Sequence, residues 1–423
     1  MKNKSKAFPT KLYIRSIVHI VMFLFTRFFN IRKNMPLEVK KLKSPYLLLS
    51  NHIGFWDPFI AGFFLPHYTH FVSSDAAFRN PFFNFFLTRL GTIPKKKNMR
   101  DSQVIRHIVS VIKQGENVGL FPEAVRNWAG SSFYIDPSIV KLIKLLKVPV
   151  VVSVFKGMNL FNPRWSPTLR KTKVLVDYHL LLTSDDIKNL SEDEIYSKLS
   201  STIKHDEVEY QRKQMNEIKS EKRAEFISFT LYICPECEAI DSFVSEKNKF
   251  HCSNCNYSVY INKYGFFELE ENSKLYYDNI RDWYNWEEKY LLKYIADLVN
   301  GGNDKMIFTD RNSNVYHSFE NEKTKFLGIA DISLFTNKIE LNFHDSKKLI
   351  VLDFDVLKTI NPQVNETLEI YYGNDAYRII GEKMGVSALK WEVALNAIWR
   401  LKGQTSKLSS YIDSSFLEVK SNH

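Results

Sequence analysis

Between residues 46 and 180, short apolar runs alternate with stretches whose apolar residues recur every three or four positions. The runs at 46–50, 69–72, 118–121, 148–155 and 173–178 are β-branched or Leu-rich, which predicts strands. Helical spacing occupies 58–63, 81–90, 102–114 and 137–147. The alternation predicts an α/β domain with a mainly parallel sheet flanked by helices. Residues 184–226 predict two charged helices, the first opening on Ser184-Asp185-Asp186, acids suited to a helix start. An aromatic-rich helical stretch at 273–300 includes Trp283, Tyr284 and Trp286. From about 305 the period shortens again. Strands are predicted at 325–333, 338–342, 348–353 and 368–372. A closing helix at 387–402 has Ala388, Trp391, Leu395 and Ile398 along one face.

Charge changes this picture at one end only. The 423-residue chain has a formal net charge of +11, and residues 1–43 hold eleven Lys or Arg against the single acid Glu38. A basic end on a nearly neutral body predicts an anionic partner, membrane or nucleic acid. Within that end, residues 16–26 carry no formal charge. A spanning helix needs about 20 apolar residues, and no cleavage site of small residues follows the run. On a helix, Arg15, His19, Thr26 and Asn30 fall within a stripe of about 60°, with nearly all other positions apolar. The pattern predicts a helix lying in a membrane surface with basic flanks toward anionic headgroups. The alternative is a core helix with a polar stripe. A peripheral place on the cytoplasmic face of the cell membrane is therefore expected.

All four cysteines lie in one cluster, Cys234-Pro235-Glu236-Cys237 and, fourteen residues later, Cys252-Ser253-Asn254-Cys255. Two such knuckles suit a closed tetrahedral S4 site, with Zn–S bonds of about 2.3 Å. A structural zinc ribbon over 228–268 is expected. Two disulfides are the alternative, and they require an oxidising compartment. His251 is expected to be a neighbour of the metal, not a ligand.

Four blocks carry candidate chemistry. The first is NHIGFWDPF, residues 51–59, with His52 and Asp57 either side of Gly54. Then come Gly91-Thr92-Ile93-Pro94-Lys95-Lys96-Lys97, Phe121-Pro122-Glu123-Ala124-Val125-Arg126-Asn127 and Val148-Pro149-Val150-Val151. In this order the blocks resemble those of the 1-acyl-sn-glycerol-3-phosphate acyltransferase family: NH-x4-D, a Gly-containing basic block, FPEGTRS and a Val-Pro strand. The resemblance covers roughly residues 30–210. It implies that His52 removes a proton from an acceptor hydroxyl, which attacks an acyl thioester of coenzyme A or acyl carrier protein. Asp57 would fix the imidazole tautomer, with Gly54 permitting the bend that brings the two together. Lys95, Lys96, Lys97 and Arg126 would hold the acceptor's phosphate, and Glu123 would hold a hydroxyl or position Arg126. The acceptor implied is a lysophospholipid, 1-acylglycerol-3-phosphate, giving phosphatidate.

The family's Gly-Thr is Ala124-Val125 here, and its serine is Asn127, so a different lysolipid or glycolipid acceptor stays open. Trp128 and the run Phe82, Phe83, Phe85 and Phe86 either wall an acyl channel or belong to the core. The expected division is an interfacial helix over 1–33, the acyltransferase-like domain over 34–226, the ribbon over 228–268 and a helical linker over 273–300. A β domain over 305–403, resembling pleckstrin-homology or GRAM-like topology, precedes a loose tail over 404–423. From a different class, a basic end with a zinc ribbon also suits a nucleic-acid-binding protein or a scaffold. The interleaving of basic residues with an apolar helix, and the lack of a dense Lys/Arg face on the ribbon, argue against nucleic acid.

Overall fold

The structure is a computed structural model describing residues 7–95, 102–123, 126–132, 135–269, 274–302, 304–319, 325–345, 348–362, 367–381 and 387–408. The chain forms two compact units, Met1–Arg164 with Thr168–Lys219, and Trp165–Pro167 with Ser220–His423.

The first unit is built on a seven-stranded sheet of β1 (Ile31–Asn34), β2 (Leu47–Ser50), β3 (Thr69–Ser74), β4 (Ile93–Lys95), β5 (Asn117–Leu120), β6 (Val150–Lys156) and β7 (Val174–Leu182). Their order is β1-β7-β6-β2-β5-β3-β4. Only the β6–β7 pair is antiparallel. β1 and β4 lie outside the predicted runs, being too short and too polar to register as apolar strands.

Alternation along the central strands explains the layering. Leu47 and Leu49 of β2 join Val150, Val152 and Val154 of β6 in one core, while Leu48 joins Val151 and Phe155 in another. Both faces of the sheet are therefore buried, as parallel strands require. Helices α1 (Leu12–Phe28), α2 (Leu37–Lys40) and α3 (Asp57–Phe63) supply side chains to the second core. Helix α4 (Pro81–Arg89) has no buried residue. Helices α5 (Ser102–Lys113) and α6 (Ser138–Leu146) line the first core, and α7 (Met158–Phe161) is a single turn beside β7. Three helices, not two, follow the sheet: α8 (Ser184–Asn189), α9 (Glu192–Ile203) and α10 (Glu207–Gln214). Thr183 and Ser191 form capping boxes with Asp186 and Glu194, and Asp206 accepts the N–H groups of Val208 and Glu209. Three local caps within 24 residues divide the charged segment.

Helix α1 packs inward through Ile14, Met22 and Thr26, with Val18 and Phe25 against the same core. Arg15 lies 4.1 Å over the Tyr68 ring, and the exposed His19 has its ring 4.9 Å from Phe63. Leu12, Ile17, Ile20, Val21, Phe23, Leu24 and Phe28 are instead 49–75 % exposed. A core helix would hide these positions. Among the described residues no helix is long and apolar enough to cross a membrane.

In the second unit, β8 (Phe243–Glu246), β9 (Lys249–Cys252), β10 (Ser258–Ile261) and β11 (Phe267–Leu269) form an antiparallel sheet in the order β11-β10-β9-β8. After α11 (Ile280–Asn300) comes a second seven-stranded sheet: β12 (Met306–Phe319), β13 (Lys325–Phe335), β14 (Lys338–Phe343), β15 (Leu349–Asp353), β16 (Leu357–Pro362), β17 (Leu368–Tyr372) and β18 (Asp375–Ile380). Every pair in it is antiparallel, in the order β15-β14-β13-β12-β18-β17-β16. The closing helix α12 (Ala388–Leu401) is buried at every position from Ala388 to Trp399, not along one face. It packs on α11 as well as β16, and its polar Lys390 meets Asp310 of β12 and Asp241.

Candidate active site

β2 and β5 are parallel neighbours with Leu49 opposite Leu120. The loops leaving their carboxyl ends therefore emerge side by side, where open α/β sheets form their crevices. One loop begins at Asn51-His52 and the other at Phe121-Pro122-Glu123.

The first loop bends and enters α3 at Asp57, which brings His52 Nδ1 to 2.8 Å from Asp57 Oδ2. The same oxygen accepts the backbone N–H of Ile53 at 2.6 Å and of Gly54 at 2.9 Å. Asp57 is fully buried, whereas the His52 side chain keeps 21 % of its surface exposed. Gly54 does not adopt a left-handed backbone, so the bend itself makes no demand for glycine. Its smallness answers a close approach instead: a Cβ there would sit 3.1 Å from Asn162 Oδ1 and 3.7 Å from Asp57 Oδ1.

The second loop supports the first from below. The His52 backbone N–H donates to Glu123 Oε2 at 3.1 Å, and the Phe121 ring stacks on the imidazole with centroids 4.2 Å apart. Glu123 is fully buried. Burial lowers the His52 pKa from its ordinary value near 6.5; the Asp57 hydrogen bond and charge oppose this, and the charges of Arg126 and Arg164 add to it. The imidazole is thus neutral at neutral pH. With Nδ1–H donated to a carboxylate, Nε2 presents a lone pair, the arrangement a general base needs.

Residues 126–130 return to the site. The Asn127 N–H donates to the His52 carbonyl at 3.0 Å, and Asn127 Oδ1 accepts from Asn159 Nδ2 and Gly130 N. Arg126 is partly exposed. Lys95 is exposed at the end of edge strand β4, three strand spacings from β2, which amounts to about 14 Å. Lys96, Lys97, Ala124 and Val125 lie outside the described residues. The aromatic run is not core, since Phe82, Phe83 and Phe85 are 66, 38 and 44 % exposed; Trp128 is buried. Sequence reasoning missed Arg164, which stacks on Trp128 at 3.6 Å and donates from Nη1 to the Arg126 carbonyl at 2.7 Å.

The Acyltransferase family model matches residues 29–156, a span that holds NHIGFWD, Glu123 and Arg126. The chain carries an acyltransferase-family domain. Over 127 residues this acyltransferase domain is 23 % identical to the 1-acyl-sn-glycerol-3-phosphate acyltransferase of Bacillus subtilis (strain 168), a match spanning 30 % of this chain and 60 % of that relative's length. Among solved structures, the chain is similar to the 1-acyl-sn-glycerophosphate (LPA) acyltransferase PlsC of Thermotoga maritima. That match has 18 % identity and a TM-score of 0.39, and covers 48 % of this chain and 82 % of that one. The Vps36 N-terminal PH domain is matched at 16 % identity and a TM-score of 0.20, over 24 % of this chain and 83 % of that domain.

Outside the acyltransferase domain, Cys234, Cys237, Cys252 and Cys255 are all free thiols. Their Sγ atoms lie within 4.8 Å of one another, with Cys234–Cys255 and Cys237–Cys252 at 3.7 Å. Disulfides need about 2.05 Å. A tetrahedron with metal–sulfur bonds of about 2.3 Å has edges of about 3.8 Å, which fits the cluster. Asn254 donates its backbone N–H to Cys252 Sγ and its side-chain amide to Cys237 Sγ. His251 is exposed on β9.

Proposed function

We propose that this protein is a membrane-surface O-acyltransferase that moves a fatty acyl group from a thioester to the free hydroxyl of a lysophospholipid, 1-acylglycerol-3-phosphate, giving phosphatidate. The observation that carries this reading is the His52–Asp57 pair at 2.8 Å, with an imidazole that keeps a minor part of its surface exposed and a wholly buried carboxylate. His52 Nε2 takes the acceptor's hydroxyl proton as the oxygen attacks the thioester carbonyl. The C–S bond then breaks, and the imidazolium returns its proton to the leaving thiolate. Asp57 holds the ring orientation and stabilises the imidazolium. Glu123 acts beneath the ring through the His52 N–H, fixing the loop. Arg126 faces the acceptor's phosphate. Lys95, Lys96 and Lys97 are further candidates for the same anion.

The acyl donor is a coenzyme A or acyl carrier protein thioester. The exposed apolar face of α1, with Arg27 at its end and Lys33 just beyond, seats the domain on an anionic leaflet. The four cysteines hold one structural Zn²⁺, closed to substrate because all four ligands come from the protein. The test is acyl transfer from a labelled thioester to lysophosphatidate, run beside other lysolipids and a glycolipid, because Ala124-Val125 replaces the family's Gly-Thr. Turnover with another acceptor alone would move the substrate assignment and leave the chemistry in place.

A further inference from the structure

We propose that Arg164 is a second anion-holding residue of this site, forming with Arg126 a two-pronged grip on the acceptor's phosphate. The proposal rests on the acyltransferase reading and adds a residue that none of the four sequence blocks contains.

Two contacts place Arg164. Its guanidinium lies 3.6 Å over the buried Trp128 ring, and its Nη1 donates to the Arg126 carbonyl at 2.7 Å. The neighbouring Asn127 N–H is bonded to the His52 carbonyl. The segment leading to Arg164 also runs alongside the catalytic loop, since a Cβ on Gly54 would meet Asn162 Oδ1 at 3.1 Å. Arg164 is thus tied to the His52 loop from two sides, through the 126–128 arm and through Asn162. The charges of both Arg126 and Arg164 reach the imidazole, where each disfavours its protonated form.

Both guanidinium charges act at the His52 imidazole, so an anion bound beside that ring is favoured by each. A phosphate monoester carries about −1.5 to −2 charge near neutral pH and takes planar, paired N–H donors well. A guanidinium presents its N–H donors in a fixed planar fork, which suits paired contacts to phosphate oxygens. The aromatic ring beneath Arg164 fixes the plane of the fork and restricts its rotamers, lowering the ordering cost of binding. Lys95 has no comparable support, being exposed on an edge strand. The ligand class is a phosphomonoester, and on the acyltransferase reading it is the acceptor's own.

Purified full-length protein tests this with two readouts. In the first, a soluble short-chain acylglycerol phosphate is titrated calorimetrically into wild type, Arg164→Ala and Arg164→Lys. Loss of one charge-assisted contact predicts affinity about 10- to 100-fold weaker in Arg164→Ala, with part of the loss restored by lysine. In the second, the ratio of kcat/KM for lysophosphatidate to that for neutral monoacylglycerol is expected to fall by the same factor. Binding unchanged in Arg164→Ala would overturn the proposal. So would an equal loss with both acceptors in both variants, which marks a structural role. If wild type binds the phosphate through Arg164 yet transfers no acyl group to any acceptor, the acyltransferase reading fails and the anion site stands.

Discussion

The proton abstraction proposed for position 52 needs a neutral imidazole, and its surroundings supply one. Burial lowers the His52 pKa below 6.5 against the pull of Asp57. The acid limb of kcat/KM against pH is therefore expected to have its midpoint below pH 6.5, activity being lost as His52 protonates. A midpoint at or above pH 7 would contradict the environment described. Asp57→Asn removes two influences that raise this pKa, so the limb should move lower still, while kcat falls about 10²- to 10⁴-fold as the tautomer is lost. A rate profile of the variant shows both changes at once. His52 and Asp57 were legible in the sequence because one short block contains both. Glu123 lies 71 positions from the backbone N–H it accepts, and Arg164 reaches Arg126 across 38 positions through a carbonyl. No local pattern records a contact made with a backbone atom of a distant loop. Gly54 shows the complementary limit: its identity was noticed, but the cause is the approach of Asn162, which only the fold brings near.

Single elements depart from pattern reading where their surroundings are unusual. Helix α1 was recognisable from its charge-free run, yet its orientation followed only from seeing which of its many apolar residues, Ile14 and Met22, are buried. The exposed residues of α1 give a direct check: Ile20→Glu with Leu24→Glu alters no buried position and should abolish flotation with anionic vesicles while far-UV circular dichroism stays unchanged. Retained flotation would remove α1 from the membrane contact. Helix α12 was predicted amphipathic and is buried all round, so its polar positions need internal partners. Lys390, with no exposed surface, bonds Asp310 at 2.5 Å and also Asp241. Lys390→Met leaves two carboxylates without their cation and is expected to destabilise the second unit by about 3–5 kcal/mol, measured by urea unfolding. The cysteine knuckles were the most legible element, because their spacing alone specifies four convergent ligands. Metal analysis of the purified protein should find about one zinc per chain, with Cys234→Ser lowering both zinc content and stability. A folded, metal-free protein would refute the zinc assignment.

For the molecule as a whole, the apolar runs of residues 46–180 marked the buried strands of the α/β sheet well, because a strand covered on both faces is continuously apolar. The second seven-stranded sheet was only half visible. β12, β16 and β18 mix polar and apolar residues, as antiparallel strands with one less covered face do. Each unit thus carries its own seven-stranded sheet, and the proposed chemistry belongs to the first. The most direct measurement is transfer of a labelled acyl group from a thioester to lysophosphatidate on anionic vesicles, comparing wild type with His52→Ala. The expected result is labelled phosphatidate from wild type and a rate at least about 10²-fold lower from the variant. Wild type that transfers no acyl group to any lysolipid acceptor, or a His52→Ala protein that matches it, would contradict the assignment of this site.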